Sequence, residues 1–365
     1  MKIGILGGGQ LGMMLVQAGE KLGLDFILFD PDIHACGGKV ANIIHAPFTD
    51  TEALEKFTKQ VDVITYEFEN IPLLTVDYLE KFKPVYPPRK ALQFSQDRFV
   101  EKTFLQNLKV PVPKFAEVNS LHELESACNT IKLPAVLKTR RMGYDGKGQI
   151  VINSKSEIQK AWQEINNHSL ILEEMIRFSK EISIIGVRDG KGEILFYPPI
   201  HNTHKEGILR LSRAPAEIDM AVFEAGKGYV KSVVETLDYV GVIAIEFFLT
   251  GDNLGYNLIA NEIAPRVHNS GHWTIEGAET SQFENHIRAV SGRPLGSTEC
   301  IGSSAMVNII GKMPDISNLE VLSDIYPHIY GKAEREGRKL GHITIHGTNS
   351  NKVDELLTSI SSYNS

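Results

Sequence analysis

The sequence predicts a multidomain protein in which an α/β region is followed by α+β regions. Residues 1–100 alternate strand and helix patterns, which is typical of a parallel sheet covered by helices. After residue 170, three extended segments follow one another, and a long helix then precedes two further strands. A chain of 365 residues has the volume for roughly two or three domains with buried cores.

The predicted elements define the domain organisation. In the first region we predict strands and helices at 2–6, 10–22, 25–29, 51–59, 61–66 and 73–82. The proline-rich VYPPRKA at 85–91 marks a boundary. Further along we predict helices at 97–108, 154–165, 216–239 and 280–290, and extended segments at 170–176, 180–188, 193–200, 240–249 and 256–260. The domains are therefore predicted to span 1–100, 101–170, 171–295 and 296–365.

Composition excludes several classes of partner. A net charge of −7 and a pI near 6.0 argue against a nucleic-acid surface, which needs a clustered basic excess. No run approaches the roughly 20 apolar residues that span a bilayer. Cys36, Cys128 and Cys300 match no zinc pattern and suggest reduced thiols. We expect a cytoplasmic protein with no membrane or nucleic-acid partner.

A lysine-containing glycine loop is the strongest functional signal. Lys138 closes an apolar strand, and the segment MGYDGKGQ that follows contains three glycines and Lys147. Glycine loses more backbone entropy on ordering than any other residue, so such a loop needs a reason to exist. Close approach of the backbone to a polyphosphate, with lysines supplying charge, is one reason. A surface β-hairpin that happens to contain lysines is the alternative.

A second glycine loop lies at the N-terminus. Residues 7–12, GGGQLG, satisfy GxGxxG between a strand and a helix, and Asp30 ends the next strand. That arrangement is typical of nicotinamide-dependent oxidoreductases, which makes a dehydrogenase one hypothesis. The more general prediction is a phosphate site at the start of the helix. A tight turn without a ligand is the alternative.

Two carboxylates fall where a metal ion would need them. Glu246 lies in the apolar strand VGVIAIEFFLT, and Glu262 follows in IANEIAPR across the turn at 251–255. A hairpin can bring both carboxylates to one face, with Asn261 beside them. Carboxylate and amide oxygens suit Mg²⁺ that is held jointly with phosphates. A buried ion pair, for example with Arg266, is the alternative.

Seven segments, taken in order, resemble the ATP-grasp superfamily, and within it the carbon–nitrogen ligases of purine biosynthesis that carboxylate an aminoimidazole ribonucleotide. The segments are GGGQLG at the start, TYEFENIP at 65–72, KTRRMGYDGKGQ at 138–149, EEMI at 173–176, EIS at 181–183, NEIAPRVHNSGHWT at 261–274 and GRKLGH at 337–342. The resemblance implies an ATP-grasp fold with an N-terminal Rossmann-like domain, a small β-rich lid and a C-terminal α+β region.

The resemblance also implies a nucleotide site. Its cationic contacts would be Arg98 and Lys138, and its metal ligands Glu246 and Glu262, which would bind Mg²⁺ or Mn²⁺. The other residues that match nucleotide-binding positions are Gly143, Tyr144, Asp145, Gly146, Lys147, Gly148, Gln149, Glu173, Glu174, Met175, Ile176, Glu181, His204 and Asn261.

A second substrate site is implied beside the first. The residues that match it are Gly8, Gln10, Leu11, Glu69, Tyr144, Asp145, Arg266, His268, Lys332 and Arg338, and the implied catalytic residues are Asp145, Lys138 and Arg266. Met13 stands where the family more often has arginine, and Glu336 replaces a common proline. We therefore assign no phosphate contact to Met13.

The implied reaction uses ATP and bicarbonate to carboxylate 5-aminoimidazole ribonucleotide. Carboxyphosphate would be the intermediate, and N5-carboxyaminoimidazole ribonucleotide, ADP and phosphate the products, within de novo purine biosynthesis. The resemblance also implies a homodimer. Three alternatives stay open: a formate-dependent ligase acting on glycinamide ribonucleotide, the nicotinamide-dependent oxidoreductase, and a non-catalytic nucleotide sensor. The pair Glu246 and Glu262 argues against the sensor, because a sensor needs no metal pair.

Overall fold

The computed structural model describes residues 1–143, 146–165, 169–252, 255–316 and 323–360. Its first region is a parallel sheet in the order β3-β2-β1-β4, built from β1 (Lys2–Leu6), β2 (Asp25–Phe29), β3 (Asn42–Ile44) and β4 (Val63–Tyr66). The helices here are α1 (Gln10–Glu20), α2 (Thr51–Thr58) and α3 (Leu73–Leu79). The predicted strand–helix alternation is confirmed.

Two helices lead into a small antiparallel sheet. They are α4 (Arg89–Ser95) and α5 (Arg98–Asn107). In the described residues the sheet has the order β5-β8-β6-β7 and consists of β5 (Phe115–Val118), β6 (Ala135–Thr139), β7 (Gln149–Ile152) and β8 (Leu170–Glu174). Helices α6 (Leu121–Thr130) and α7 (Ile158–Ile165) complete this β-rich unit, which is the predicted lid.

A large sheet forms the rest of the molecule. Its order in the described part of the chain is β14-β13-β9-β11-β12-β15-β17-β16. Strand β10 pairs with the C-terminal end of β9, outside this order. The strands are β9 (Lys180–Arg188), β10 (Ile194–Phe196), β11 (Ile200–Lys205), β12 (Ile208–Ala214), β13 (Gly241–Asp252), β14 (Gly255–Ala264), β15 (Ser303–Ile310), β16 (Ile325–Ile329) and β17 (Lys339–Gly347). The helices are α8 (Met220–Thr236), α9 (Thr274–Gly277), α10 (Gln282–Val290) and α11 (Ser350–Ser359).

This sheet crosses one predicted domain boundary. Strand β12 pairs with β15, so the strands after residue 296 continue the sheet that precedes it. The N-terminal region is joined to the same body through a shared core, in which Ile5 and Leu15 belong to one buried cluster with Val242, Phe283 and Met306. The four-domain division therefore stays a prediction, and the fold itself is one tightly connected arrangement of mixed α/β layers.

Helix α5 packs against the lid sheet through β5 and against the large sheet through β14. Asp97 caps its N-terminus, accepting the N–H groups of Phe99 and Val100 at 3.0 and 3.3 Å. The cap places Arg98 in the first turn and Lys102 one turn later, so both side chains emerge on the same helix face. Among the described helices, none is both long and apolar enough to cross a bilayer.

Candidate active site

An acidic pair lies on the hairpin formed by β13 and β14. Glu246 and Glu262 are direct cross-strand partners, and a bulge follows Glu246, so the predicted pairing is confirmed. The side chain of Glu246 is 13% exposed and that of Glu262 is 39% exposed. Burial and the charge of Glu262 raise the pKa of Glu246 to about 7. Two carboxylates this close favour a shared cation.

A cluster of cations faces the acidic pair. Arg98 Nη1 lies 3.4 Å from Glu262 Oε2, and Lys138 Nζ lies 2.8 Å from Glu173 Oε2. Lys102 is fully buried, with its Nζ 3.9 Å from Glu173 Oε1. Burial alone would raise the pKa of Glu262, but these cations outweigh it and lower that pKa. The site is thus built for groups that carry several negative charges.

Lys102 is a residue that the sequence analysis missed. Its ammonium donates to the main-chain oxygen of Asn261, next to Glu262. The preceding Glu101 accepts the N–H of Ile263 at 2.6 Å, and burial raises the pKa of Glu101 to about 7. The spacing of Lys102 from Arg98 by one helical turn places both side chains on one face of α5, but only tertiary packing buries Lys102. Helix α5 therefore anchors the strand that carries Glu262.

Glu173 connects the cations to the segment predicted to meet a nucleotide base. Burial opposes its ionisation, but Lys102 and Lys138 outweigh burial and lower its pKa to about 2. Strand β8 ends at Glu174, and Met175 beyond it is 45% exposed. The predicted EEMI segment thus runs from a buried, ionised carboxylate to an exposed residue past the end of the lid sheet.

Glu181 and His204 form a hydrogen-bonded pair beside the acidic pair. His204 Nδ1 lies 2.8 Å from Glu181 Oε2, on β11 and β9 respectively. Strand β9 also pairs with β13, and Ser183 is the partner of Glu246 in that register. Burial lowers the pKa of His204, but the bond to Glu181 and the charge of Glu246 outweigh it, so the net shift is upward. The structure therefore brings both predicted residues to the same site.

Arg266 and His268 follow the end of β14 and lie near the acidic pair. Arg266 Nε donates to Glu69 Oε2, so the bonded partner of Arg266 is Glu69 rather than the acidic pair. His268 Nε2 lies 3.6 Å from Glu246 Oε1, and burial followed by the charge of Arg266 lowers its pKa to about 3. The charges of Glu69, Glu262 and Glu67 all act on Arg266, so Arg266 lies near both the acidic pair and the N-terminal glycine loop.

The N-terminal glycine loop is partly occupied by carboxylates of the chain itself. Asp30 Oδ2 accepts the N–H of Gly8 at 2.6 Å. Glu67 accepts the N–H groups of Gly9 and Gly12 at 2.7 and 3.0 Å. Of the three predicted phosphate contacts, the N–H group of Gly8 is taken by Asp30, and those of Gln10 and Leu11 stay available in the described part of the chain. A dinucleotide diphosphate would need the N–H groups that Glu67 takes, so the structure does not support the oxidoreductase hypothesis.

Basic residues from the C-terminal region reach this loop and the acidic pair. Lys332 Nζ donates to the side-chain oxygen of Gln10. Arg338 Nη1 donates to the carbonyl oxygen of Ala333 at 3.3 Å and lies on the same segment. Lys339, for which no role was predicted, acts on the acidic pair. Its positive charge lowers the pKa of Glu246 and so opposes the rise caused by burial and by Glu262. Residues more than 300 positions apart in the chain thus share one cleft.

The lysine-containing glycine loop connects β6 to β7. The carbonyl oxygen of Gly143 accepts Arg98 Nη2 at 3.3 Å, and that of Gly148 accepts the N–H of Thr139 at 2.8 Å. Gly146 and Gly148 have φ angles of +76° and +71°, which favour glycine. Lys147 lies between them, and Gln149 is the strand partner of Lys138. The predictions for Tyr144 and Asp145 fall outside the described residues.

The donor set around Glu246 fits a hard divalent cation. The two carboxylates face each other with Asn261 adjacent, and burial together with the charge of Glu262 raises the pKa of Glu246. Within the described residues, no group of three or more His, Cys, Asp or Glu side chains is arranged as a metal site. A Mg²⁺ ion at this pair would therefore take its remaining oxygens from a ligand and from water, as it does with phosphates.

Comparisons with known proteins agree with this geometry. The family model of the ribonucleotide synthetase preATP-grasp domain matches residues 1–96, that of the ATP-grasp domain residues 103–283, and that of the phosphoribosylaminoimidazole carboxylase C-terminal domain residues 304–356. N5-carboxyaminoimidazole ribonucleotide synthase of Pseudomonas aeruginosa is 48% identical over 345 residues, which cover 94% of each chain. The chain belongs to the N5-carboxyaminoimidazole ribonucleotide synthase family.

Solved structures of this family superpose on the whole chain. The synthetase of Thermus thermophilus has a TM-score of 0.95 at 48% identity and covers 100% of this chain and 98% of its own. The synthase of Aspergillus clavatus in complex with ADP and 5-aminoimidazole ribonucleotide has a TM-score of 0.90 at 28% identity, covering 99% and 98%. The predicted ATP-grasp fold is confirmed, because both the family models and these structures agree with the observed sheets.

Proposed function

We propose that the chain is an ATP-dependent carbon–nitrogen ligase that carboxylates 5-aminoimidazole ribonucleotide with bicarbonate. The products are N5-carboxyaminoimidazole ribonucleotide, ADP and phosphate, a step of purine biosynthesis. Membership of the synthase family supports this function, as does the relative that was solved with ADP and the ribonucleotide. The observation that carries it is the convergence of three cations, Arg98, Lys102 and Lys138, whose charges all act on Glu262 of the acidic pair.

The nucleotide would lie between the lid sheet and the large sheet. Arg98 and Lys138 would contact the phosphates, with the loop at 143–149 above them. The backbone of Glu173 to Ile176 would meet the adenine, and Glu181 with His204 the ribose. The buried Oε1 of Glu173 has no hydrogen-bond partner among the described residues. Lys102 Nζ lies 3.9 Å from this oxygen and balances the charge of the carboxylate.

Glu246 and Glu262 would hold the Mg²⁺ or Mn²⁺ ion, with Asn261 beside them. A bound ion supplies neutralising charge on the phosphates. The chain's own contribution is positional. Lys102 fixes the backbone at Asn261, Glu101 fixes Ile263, and both contacts hold Glu262 opposite Glu246. Such preorganised charge requires no rearrangement when the phosphoryl group transfers.

In the first chemical step, an oxygen of bicarbonate attacks the γ-phosphorus of ATP, and ADP leaves. Lys138 and the glycine loop stabilise the charge that develops on the transferring group. The product, carboxyphosphate, is labile in water, so the loop must exclude solvent. The exocyclic amine of the ribonucleotide then attacks the carboxyl carbon, directly or through trapped carbon dioxide, and phosphate leaves. We assign the amine proton to Asp145, which belongs to this loop.

The ribonucleotide would occupy the cleft between the acidic pair and the N-terminal loop. The N–H groups of Gln10 and Leu11 would bind its phosphate, together with Lys332 and Arg338. Arg266, His268 and Tyr144 would lie near the imidazole and ribose, with Glu69 holding Arg266 in place. His268 would act as a neutral group, because its pKa of about 3 keeps it unprotonated at neutral pH.

ADP release tests the proposed function directly. The purified chain would be given MgATP with 5-aminoimidazole ribonucleotide or glycinamide ribonucleotide, each with bicarbonate or formate. We expect ADP only with aminoimidazole ribonucleotide and bicarbonate together. Release with glycinamide ribonucleotide and formate would instead establish the related ligase. An Asp145→Asn variant should retain ATP binding and lose carboxylation. Cytoplasmic location and homodimer formation stay predictions, and ultracentrifugation of the same preparation tests the second.

A further inference from the structure

The carboxylate of Glu67 is built into the N-terminal glycine loop. Glu67 directly follows β4 and is only 9% exposed, with Oε1 2.7 Å from the nitrogen of Gly9 and Oε2 3.0 Å from that of Gly12. A Cβ atom added at Gly9 would lie 2.7 Å from Oε1, and one added at Gly7 2.5 Å from Cγ. The glycines therefore make room for an internal carboxylate as well as for the turn.

The carboxylate of Glu67 accepts two of the four N–H groups that could bind an anion at the start of α1. A helix begins with four N–H groups that have no partner inside the helix. For α1 these belong to Gly9, Gln10, Leu11 and Gly12, since Met13 makes the first helical bond, to the oxygen of Gly9. Glu67 accepts two of the four. In the described part of the chain no acceptor takes the N–H groups of Gln10 and Leu11.

A lysine lies beside the two N–H groups that remain open. Lys332 donates to the side-chain oxygen of Gln10, and its positive charge acts on Glu67 as well. The two open N–H groups and the nearby ammonium are the groups left to bind a phosphate at this loop. A second phosphate attached to the first would find the N–H groups of Gly9 and Gly12 already taken, and the negative charge of the Glu67 carboxylate would repel it.

We propose that Glu67 is a specificity-determining residue that restricts this loop to a ligand with a single terminal phosphate and rejects diphosphates. The inference rests on the proposed function, in which a ribonucleotide monophosphate binds here. A GxGxxG loop at a helix N-terminus otherwise accommodates a dinucleotide diphosphate. In this chain the carboxylate takes the place of the second phosphate. Because ATP is the other substrate, such selectivity also keeps nucleotide polyphosphates out of the acceptor cleft.

Competition against aminoimidazole ribonucleotide tests this proposal. The full chain would be assayed at saturating MgATP with ribose 5-phosphate or ADP-ribose as inhibitor. In the unmodified chain we expect ribose 5-phosphate to compete with the ribonucleotide and ADP-ribose to compete at least tenfold more weakly. In Glu67→Ala the inhibition constant of ADP-ribose should fall at least tenfold, and Glu67→Gln, which keeps one acceptor oxygen without the charge, should lie between the two.

The control is Glu80→Gln, an exposed carboxylate at the end of α3 in the same region, which should leave both constants unchanged. If ADP-ribose competes with the unmodified chain as well as ribose 5-phosphate does, the proposal is wrong, whether or not the variants fold. It is also wrong if folded Glu67→Ala still rejects ADP-ribose. Failure of ribose 5-phosphate to compete at all would instead contradict the placement of the acceptor phosphate in the proposed function.

Discussion

Replacing Glu246 by glutamine should stabilise the metal-free protein while abolishing its activity. Glu246 is 13% exposed, and burial with the neighbouring charge of Glu262 raises its pKa from 4.5 to about 7. Because the folded state holds this proton more tightly than the unfolded chain, ionisation of Glu246 costs stability as pH rises from 4.5 through 7. A shift of this size corresponds to about 3 kcal/mol at pH 8. Glutamine has a similar shape and no charge, so Glu246→Gln avoids the cost.

The assay is urea unfolding of both proteins without divalent ions at pH 5 and pH 8. We expect the variant to exceed the unmodified chain by about 2–3 kcal/mol more at pH 8 than at pH 5. Mg²⁺ should stabilise the unmodified chain and not the variant. Glu80→Gln, an exposed carboxylate at the end of α3, is the control and should not give this gain. The quantity compared is the free energy of unfolding of Glu246→Gln minus that of the unmodified chain. A smaller difference at pH 8 than at pH 5 would refute the electrostatic reasoning.

The site gives three further predictions. Lys102→Met should destabilise the chain by about 3–5 kcal/mol, because it leaves Glu173 with one fewer partner in the interior, whereas Lys160→Met, 78% exposed, should change unfolding little. Gly146→Ala should lower kcat at least tenfold, since its Cβ would lie 2.9 Å from the carbonyl oxygen of Glu206 at φ +76°; Gly228→Ala in α8 meets nothing within 4 Å and should retain full turnover. Arg266→Gln should raise KM for the ribonucleotide roughly tenfold or more and leave KM for ATP unchanged, and equal rises in both would contradict the assignment of Arg266 to the acceptor cleft.

The acidic pair could be predicted from the sequence because its geometry is local. Glu246 and Glu262 lie on consecutive, directly paired strands, and the period of two along each strand fixes the face on which a side chain lies. The parallel N-terminal sheet was predictable for a similar reason. Alternating strands and helices allow few arrangements, and the observed order β3-β2-β1-β4 is one of them.

The contacts that the sequence did not reveal are those between distant segments. Glu67 lies 58 positions from Gly9, and nothing in TYEFENIP indicates that its first carboxylate turns inward to the loop while Glu69 binds Arg266. Lys102 reads as an ordinary charged residue of an amphipathic helix until the packing of α5 against β14 buries it. Both residues are fixed by tertiary packing, which local patterns do not record.

Strand partners were also beyond local patterns. The extended segments at 170–176 and 180–188 follow each other closely in the chain, yet β8 belongs to the lid sheet and β9 to the large sheet. Likewise, β15 continues the sheet begun by β12, almost 90 residues earlier, so the predicted boundary near residue 296 crosses a continuous ladder. Hydrophobic runs predict that strands exist, whereas their pairing depends on which connections the whole fold permits.

The most direct test of the account follows the oxygen atoms of bicarbonate. With bicarbonate labelled by ¹⁸O, ATP and aminoimidazole ribonucleotide, attack on the γ-phosphorus transfers one bicarbonate oxygen to the phosphate that is finally released. Mass spectrometry of that phosphate should therefore show one ¹⁸O atom per turnover, together with a labelled carboxyl group on the ribonucleotide. Unlabelled phosphate formed at the same rate would mean that water is the nucleophile, and the proposed use of this site would be wrong.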